Sequence, residues 1–255
     1  MKPILVVKIG STTLTAGTDM ISRGKIEDVA RQLVRLKSQY DVVLVSSGAI
    51  ATAKQFIKNG WQNVVRSKQA MSAIGQPKLM QLYSEVFNDF SLRIAQCLLT
   101  YRDFENDESR KNTLNTITEL LAHDYIPIIN ENDTVAIEEL ILGDNDKLSA
   151  LVATLMTADK LIIASDINGL YDKNPHIHPD AVLLPEITNL EEVRHVIQER
   201  DSGLGTGGMT TKFSAIEICF ARDVEVYIVN GGVPNFIEDS LSGAIPFTKF
   251  VKGEK

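Results

Sequence analysis

Short apolar runs alternate along the chain with longer segments whose apolar residues recur every three or four positions. PILVVKI (Pro3–Ile9) predicts a buried strand. In Ile26–Tyr40 the residues Val29, Leu33, Val34 and Leu36 fall at helical spacing. Asp41–Ser47 predicts the next strand, and AIATAKQFIKNG a helix that stops at Gly60. Val65–Phe90 reads as a long helical stretch interrupted at Gly75 and Pro77. Strand Ile94–Thr100, helix Asn112–His123 and strand Ile126–Asn130 follow, and Ala136–Leu142 has the pattern of a short hairpin. Then come helix Lys147–Thr157, strand Lys160–Ser165, helix Leu190–Glu199, helix Thr211–Ala221, strand Val224–Val229 and an edge strand within Ile245–Phe250.

This alternation predicts an α/β fold, a mostly parallel sheet with helices on both faces. The turn-rich segment Asp166–Pro185 stands out as a lid or excursion. A subdivision near residue 160 would let two halves meet at a cleft, although no linker marks it.

Composition narrows the class. With 255 residues, 44% of them hydrophobic, the chain can bury a large core without disulfide or metal staples. Cys97 and Cys219 lie in apolar runs and read as reduced core thiols of a cytoplasmic protein. The net charge of −7 argues against a nucleic-acid partner, yet leaves room for a local cationic pocket. No run approaches the ~18–20 apolar residues of a membrane span, and the N-terminus lacks a signal-cleavage pattern. No membrane association is expected.

Glycine and hydroxyl residues gather where strands end. Lys8-Ile9-Gly10-Ser11-Thr12-Thr13 offers backbone N–H donors beside a cation, which suits phosphate oxygens. Ser46-Ser47-Gly48-Ala49 repeats the small-residue turn, and ligands of open α/β sheets sit beyond the carboxyl ends of strands. Ser202–Lys212 carries four glycines in six positions. It follows a helix, so it is no dinucleotide fingerprint, and Lys212 is not adjacent to the last glycine, so it is no P-loop. A mobile phosphate-cradling loop is the reading left.

Two acidic motifs complete the set. Asn130-Glu131-Asn132-Asp133 follows a strand, and Gly143-Asp144-Asn145-Asp146 opens a helix, where such residues also serve as ordinary caps. A calcium loop would need Gly and Glu where Ser149 and Leu155 stand. His176 and His178 have no third ligand nearby, so no metal site is expected.

VVKIGSTTL, VSSGAIA, KQAMSAIGQPKLM, NENDTVA, GDNDKLSALVA and GTGGMTTK occur in this order, the last ending at Lys212. Together they resemble the amino acid kinase family, and within it the branch that phosphorylates glutamate. The resemblance covers essentially the whole chain. It implies a three-layer α/β/α sandwich around a sheet of about eight strands. One kinase domain would span 1–255, with the amino-acid side on about 1–160 and the nucleotide side on about 161–255. Lys8 and Lys212 match lysines that flank the transferring phosphoryl, and Gly10 and Gly48 match glycines whose N–H groups approach its oxygens. Ser47, Asp133 and Asn145 match glutamate-binding positions, and Asp146 the acid that organises the two lysines. Lys8, Ser165, Asp166, Thr206, Gly207, Gly208, Met209, Thr210, Thr211 and Lys212 match ATP-binding positions. The family usually has Thr-Asp where this chain has Ser165-Asp166; serine keeps the hydroxyl.

The reaction so implied joins the γ-carboxylate of L-glutamate to the γ-phosphoryl of ATP, with Mg²⁺ held mainly by the phosphates, as the first step towards proline. Feedback inhibition by proline and a dimeric or tetrameric assembly are implied too. Many relatives of this branch carry a C-terminal PUA domain of RNA-binding type, for which a chain ending FTKFVKGEK has no room. Lys249, Lys252 and Lys255 then read as a solvated tail. Another acceptor, such as N-acetylglutamate or UMP, and a non-catalytic ligand sensor on the same fold stay open as alternatives.

Overall fold

The computed structural model describes residues 2–57, 61–136, 145–175, 177–194, 196 and 208–253. Among them eight strands form one sheet: β1 (Ile4–Ile9), β2 (Asp41–Ser46), β3 (Arg93–Leu99), β4 (Tyr125–Glu131), β5 (Lys160–Ser165), β6 (Glu186–Ile187), β7 (Glu225–Asn230) and β8 (Phe247–Phe250). Their spatial order is β3-β4-β2-β1-β5-β7-β8-β6. Every neighbouring pair is parallel except β7–β8. The first four strands in sequence lie on one side of the β1–β5 boundary and the last four on the other.

The helices are α1 (Ser11–Thr15), α2 (Arg23–Leu36), α3 (Ala49–Lys54), α4 (Val65–Asp89), α5 (Asp107–Ala122), α6 (Asp146–Leu155), α7 (Gly208–Phe220) and α8 (Phe236–Ser242). They complete the expected layers, because side chains alternate across each strand. Val6, Val43, Ile129 and Ile163 join Ile117 of α5, Leu148 of α6 and Phe213 of α7 in one core. Leu5, Val7, Leu44, Ile128 and Ile162 pack on the other face with Leu33 of α2, Leu79 of α4 and Phe236 of α8. Strands buried on both faces are why the sequence shows unbroken apolar runs there.

Several expectations change. α4 is not interrupted: it runs through Gly75 and Pro77 over 25 residues. Gly75 is a close-approach site, where a Cβ would stand 1.8 Å from the Ala49 carbonyl of α3. α3 ends at Lys54, and Gly60 lies outside the described residues. α2 spans Arg23–Leu36, capped by the Ser22 side chain, and leaves Tyr40 to lead into β2. β8 is no edge strand, since the two-residue β6 lies outside it. Leu190–Glu192 forms a 3-10 turn, and 197–199 of the expected helix there, like 137–142 of the expected hairpin, fall outside the described residues. The Asp166–Pro185 excursion folds back on itself through the Tyr171–Leu183 bridge. Thr248 of β8 pins its base, with Oγ1 accepting from Leu170 N at 2.8 Å and donating to Leu184 O at 2.7 Å. No described helix is long and apolar enough to cross a membrane.

Candidate active site

β1, β2, β4, β5 and β7 are parallel and end at one edge of the sheet, with Ile9, Ser46, Glu131, Ser165 and Asn230. Alternation along β1 puts Lys8 on the face of Val6, towards α6 and α7. Asp146 opens α6 and is fully buried. Its Oδ1 stands 2.6 Å from Lys8 Nζ and its Oδ2 3.1 Å from Lys212 Nζ. Lys212 also donates to Gly208 O at 3.0 Å, and Thr211 Oγ1 donates to Asp146 Oδ2 at 3.3 Å. Burial alone would push the Asp146 carboxyl up, but the two ammonium groups outweigh it and hold the carboxyl at about 2. The helix start adds its own positive end. Two buried cations around one buried anion leave a net positive centre at the carboxyl edge.

A second set of polar groups lies beside it. Asn145 precedes α6 but makes no side-chain cap. Its Nδ2 donates instead to Asn130 Oδ1 at 2.6 Å and to Ser47 Oγ at 3.1 Å. Asn130 Nδ2 in turn donates to Gln76 Oε1 of α4 at 2.8 Å. One turn earlier on α4, Ser72 donates to Asp133 Oδ2. Asp133 Oδ1 and Asn145 Oδ1 are buried and have no hydrogen-bond partner among the described residues. Burial raises the Asp133 carboxyl above its ordinary value, the Ser72 hydroxyl opposing. A cleft of about 340 Å³ lined by Ser72, Gln76, Glu131 and Asp133 opens here. A larger cavity, about 730 Å³, lies at the opposite ends of β1 and β2, beside Ile4 and Asp41, and holds none of the sequence-predicted residues.

The remaining predicted positions distribute as follows. Gly10 precedes α1, where a Cβ would meet Lys8 Nζ at 3.4 Å. Gly48 precedes α3 at φ +113, which only glycine adopts without strain. Ser165 ends β5, and its Oγ is 3.2 Å from Asp166 Oδ1, with Asp166 exposed. Gly208, Met209, Thr210, Thr211 and Lys212 are not loop residues: they form the first turn and a half of α7. Thr206 and Gly207 lie outside the described residues. Cys219 is a core thiol pushed up to about 12 by burial, whereas Cys97 is only partly buried. Sequence reasoning missed Ser72, Gln76 and Asn130 as site residues. All three stood inside motifs it quoted, but their partners are distant in sequence.

A sequence model of the amino acid kinase family matches residues 3–230. The chain is 41% identical over 254 residues to a glutamate 5-kinase of Vibrio campbellii, covering 98% of this chain and 67% of that protein. It is 44% identical to glutamate 5-kinase 1 of Bacillus licheniformis over 90% of this chain and 64% of the relative. It thus spans about two thirds of the length of such relatives. Among solved structures, a carbamate kinase from Giardia lamblia bound to AMP-PNP superposes with a TM-score of 0.69 at 18% identity, covering 99% of each chain. A UMP kinase from Ureaplasma parvum gives 0.66 at 17%, covering 99% of this chain and 100% of its own. At such identities the likeness concerns the fold.

Proposed function

This chain belongs to the amino acid kinase family, and from that premise we propose that it phosphorylates the γ-carboxylate of L-glutamate with ATP, giving L-glutamyl 5-phosphate for proline synthesis. The observation that carries the reading is Asp146 held between Lys8 and Lys212 at the carboxyl edge of the sheet. A γ-carboxylate, with a pKa of ~4.3, is already a nucleophile at neutral pH and needs no general base. The obstacle is the approach of one anion to another. Lys8 and Lys212 supply fixed positive charge on the two sides of the transferring group, and Asp146 keeps both ammonium groups in place before substrate arrives. Gly10 adjoins this centre, Gly48 is given with it to the transferring phosphoryl, and Ser165, Asp166 and the start of α7 take the nucleotide.

Mg²⁺ fits this site as an ion carried on the phosphates, because both Asp146 oxygens face ammonium groups. Among the described residues, no group of three His, Cys, Asp or Glu side chains could hold a metal. Bound there, it would neutralise phosphate charge.

The unpartnered Asp133 and Asn145 oxygens favour an acceptor with a free ammonium. An N-acetylated acceptor has none to offer Asp133. Proline shares the α-carboxylate and ammonium of glutamate and would compete at the same place, shifting glutamate saturation curves. A homo-oligomer and a cytoplasmic setting belong to the same reading.

Hydroxylamine trapping with ATP and Mg²⁺ tests it. Hydroxamate forms with glutamate and not with N-acetylglutamate or aspartate. Turnover of UMP or N-acetylglutamate in place of glutamate would reassign the acceptor.

A further inference from the structure

Lys25 of α2 takes no part in the lysine–aspartate centre, yet it is 8% exposed. Its Nζ donates to Gly231 O at 2.8 Å and to Gly232 O at 3.3 Å, and stands 5.8 Å from the centre of the Phe236 ring. Burial pulls its ammonium below the usual lysine range, with Asp28 opposing. A buried lysine whose hydrogen bonds go to two carbonyls fixes a backbone position, since a buried ammonium needs those acceptors.

That backbone is the turn after β7, and its other side faces the nucleotide end of the sheet. Gly231 N donates to Ser165 O at 2.9 Å. Asn230 Oδ1 accepts from Gly232 N at 2.9 Å, while its Nδ2 donates to Asn168 Oδ1 at 3.1 Å. A Cβ on Gly231 would come within 2.7 Å of Thr13 Oγ1 and 2.8 Å of Ala164 Cβ. The turn is therefore wedged against α1 and the end of β5, and Lys25 holds it from behind. Gln32, on the same stripe of α2, extends the grip: its Oε1 accepts from Ile237 N at 2.8 Å at the start of α8.

We propose that Lys25 is a positioning residue for the nucleotide: by fixing the Gly231–Gly232 turn it sets the Ser165–Asn168 segment and the start of α1 after Gly10 in the arrangement that receives ATP. The proposal rests on the reading above that gives Ser165 and Asp166 to the nucleotide and places Gly10 beside the transferring phosphoryl.

The test compares Lys25→Met, Lys25→Arg and Gly231→Ala. In Lys25→Met the buried Gly231 carbonyl and the part-buried Gly232 carbonyl lose their donor, and the KM for ATP rises roughly tenfold, while the KM for glutamate stays within about twofold. Lys25→Arg restores most of the ATP affinity. Gly231→Ala reproduces the ATP-selective defect with Lys25 intact, and combining it with Lys25→Met adds little, as expected for two changes in one element. Hydrogen exchange at the Gly231 amide accelerates in both. An unchanged ATP KM in a folded Lys25→Met, or equal rises for both substrates, overturns the proposal. If Lys25→Met does not fold, Gly231→Ala and Lys25→Arg decide it by the same ATP-to-glutamate ratio. Calorimetric ATP affinity reads the effect without turnover. An intact protein that binds ATP but never phosphorylates glutamate refutes the proposed reaction and leaves this comparison standing.

Discussion

Asp146 and Asp133 are both buried carboxylates at the carboxyl edge of the sheet, and they stand in opposite electrostatic states. Burial pushes both up. Lys8 and Lys212 reverse it at Asp146, whereas Asp133 has a hydroxyl, and no cation among the described residues pairs with it. The first region is complete without ligand. The second keeps a buried oxygen with no hydrogen-bond partner among the described residues. On the proposed reading, a site for joining two anions is divided into a prebuilt cationic centre and a carboxylate that receives the substrate ammonium.

The largest expected effect separates the two carboxylates by stability. Asp146→Asn removes the anion between two buried cations, and breaking a buried ion pair costs about 3–5 kcal/mol. The denaturation midpoint falls, and kcat drops roughly 10²–10³-fold as the lysines lose their alignment. The acid limb also changes. A carboxyl whose folded pKa lies below its unfolded value contributes stability above about pH 4, and that contribution is lost as pH falls towards 2. Asp146→Asn should lack this loss. A wild-type midpoint in the variant would mean that Asp146 is not the keystone of the charge cluster.

Asp133→Asn should act the other way. The carboxylate it removes has no compensating cation among the described residues, so the midpoint stays level or rises. The cost appears in binding: losing a charged partner for the substrate ammonium raises the glutamate KM roughly 10–100-fold, with kcat within a few-fold. Destabilisation like that of Asp146→Asn would erase the distinction between the two regions.

The same contrast governs what could be read from sequence. β1, β2, β5 and β7 were legible because strands buried on both faces give unbroken apolar runs. α1, a five-residue helix, is too short for periodicity, and β6 is only two residues long. Gly75 suggested a break because composition records the missing side chain and not the α3 backbone that needs its absence. In the site, Lys8, Asp146 and Lys212 were marked by motifs at strand and helix ends, where local pattern and chemistry coincide. Gln76, Ser72 and Lys25 act through partners far along the chain, and no local pattern carries such pairings.

The smallest effect is the most specific. Asp133 has a raised carboxyl, so acidification protonates it before an ordinary aspartate near pH ~3.9. The substrate ammonium then meets a neutral group, and the glutamate KM rises while the ATP KM stays flat. Glutamate's own γ-carboxylate titrates in the same direction, and the profile of Asp133→Asn isolates that contribution. Ser72 makes the test directional. Its hydroxyl bond favours the ionised form, so Ser72→Ala pushes the Asp133 carboxyl further up and moves the rising limb to higher pH. At neutral pH Ser72→Ala changes glutamate KM only a few-fold. Asp146, held at about 2, contributes nothing to this limb. A limb that coincides with that of Asp133→Asn, or that Ser72→Ala leaves in place, would show that substrate binding does not depend on the charge of Asp133.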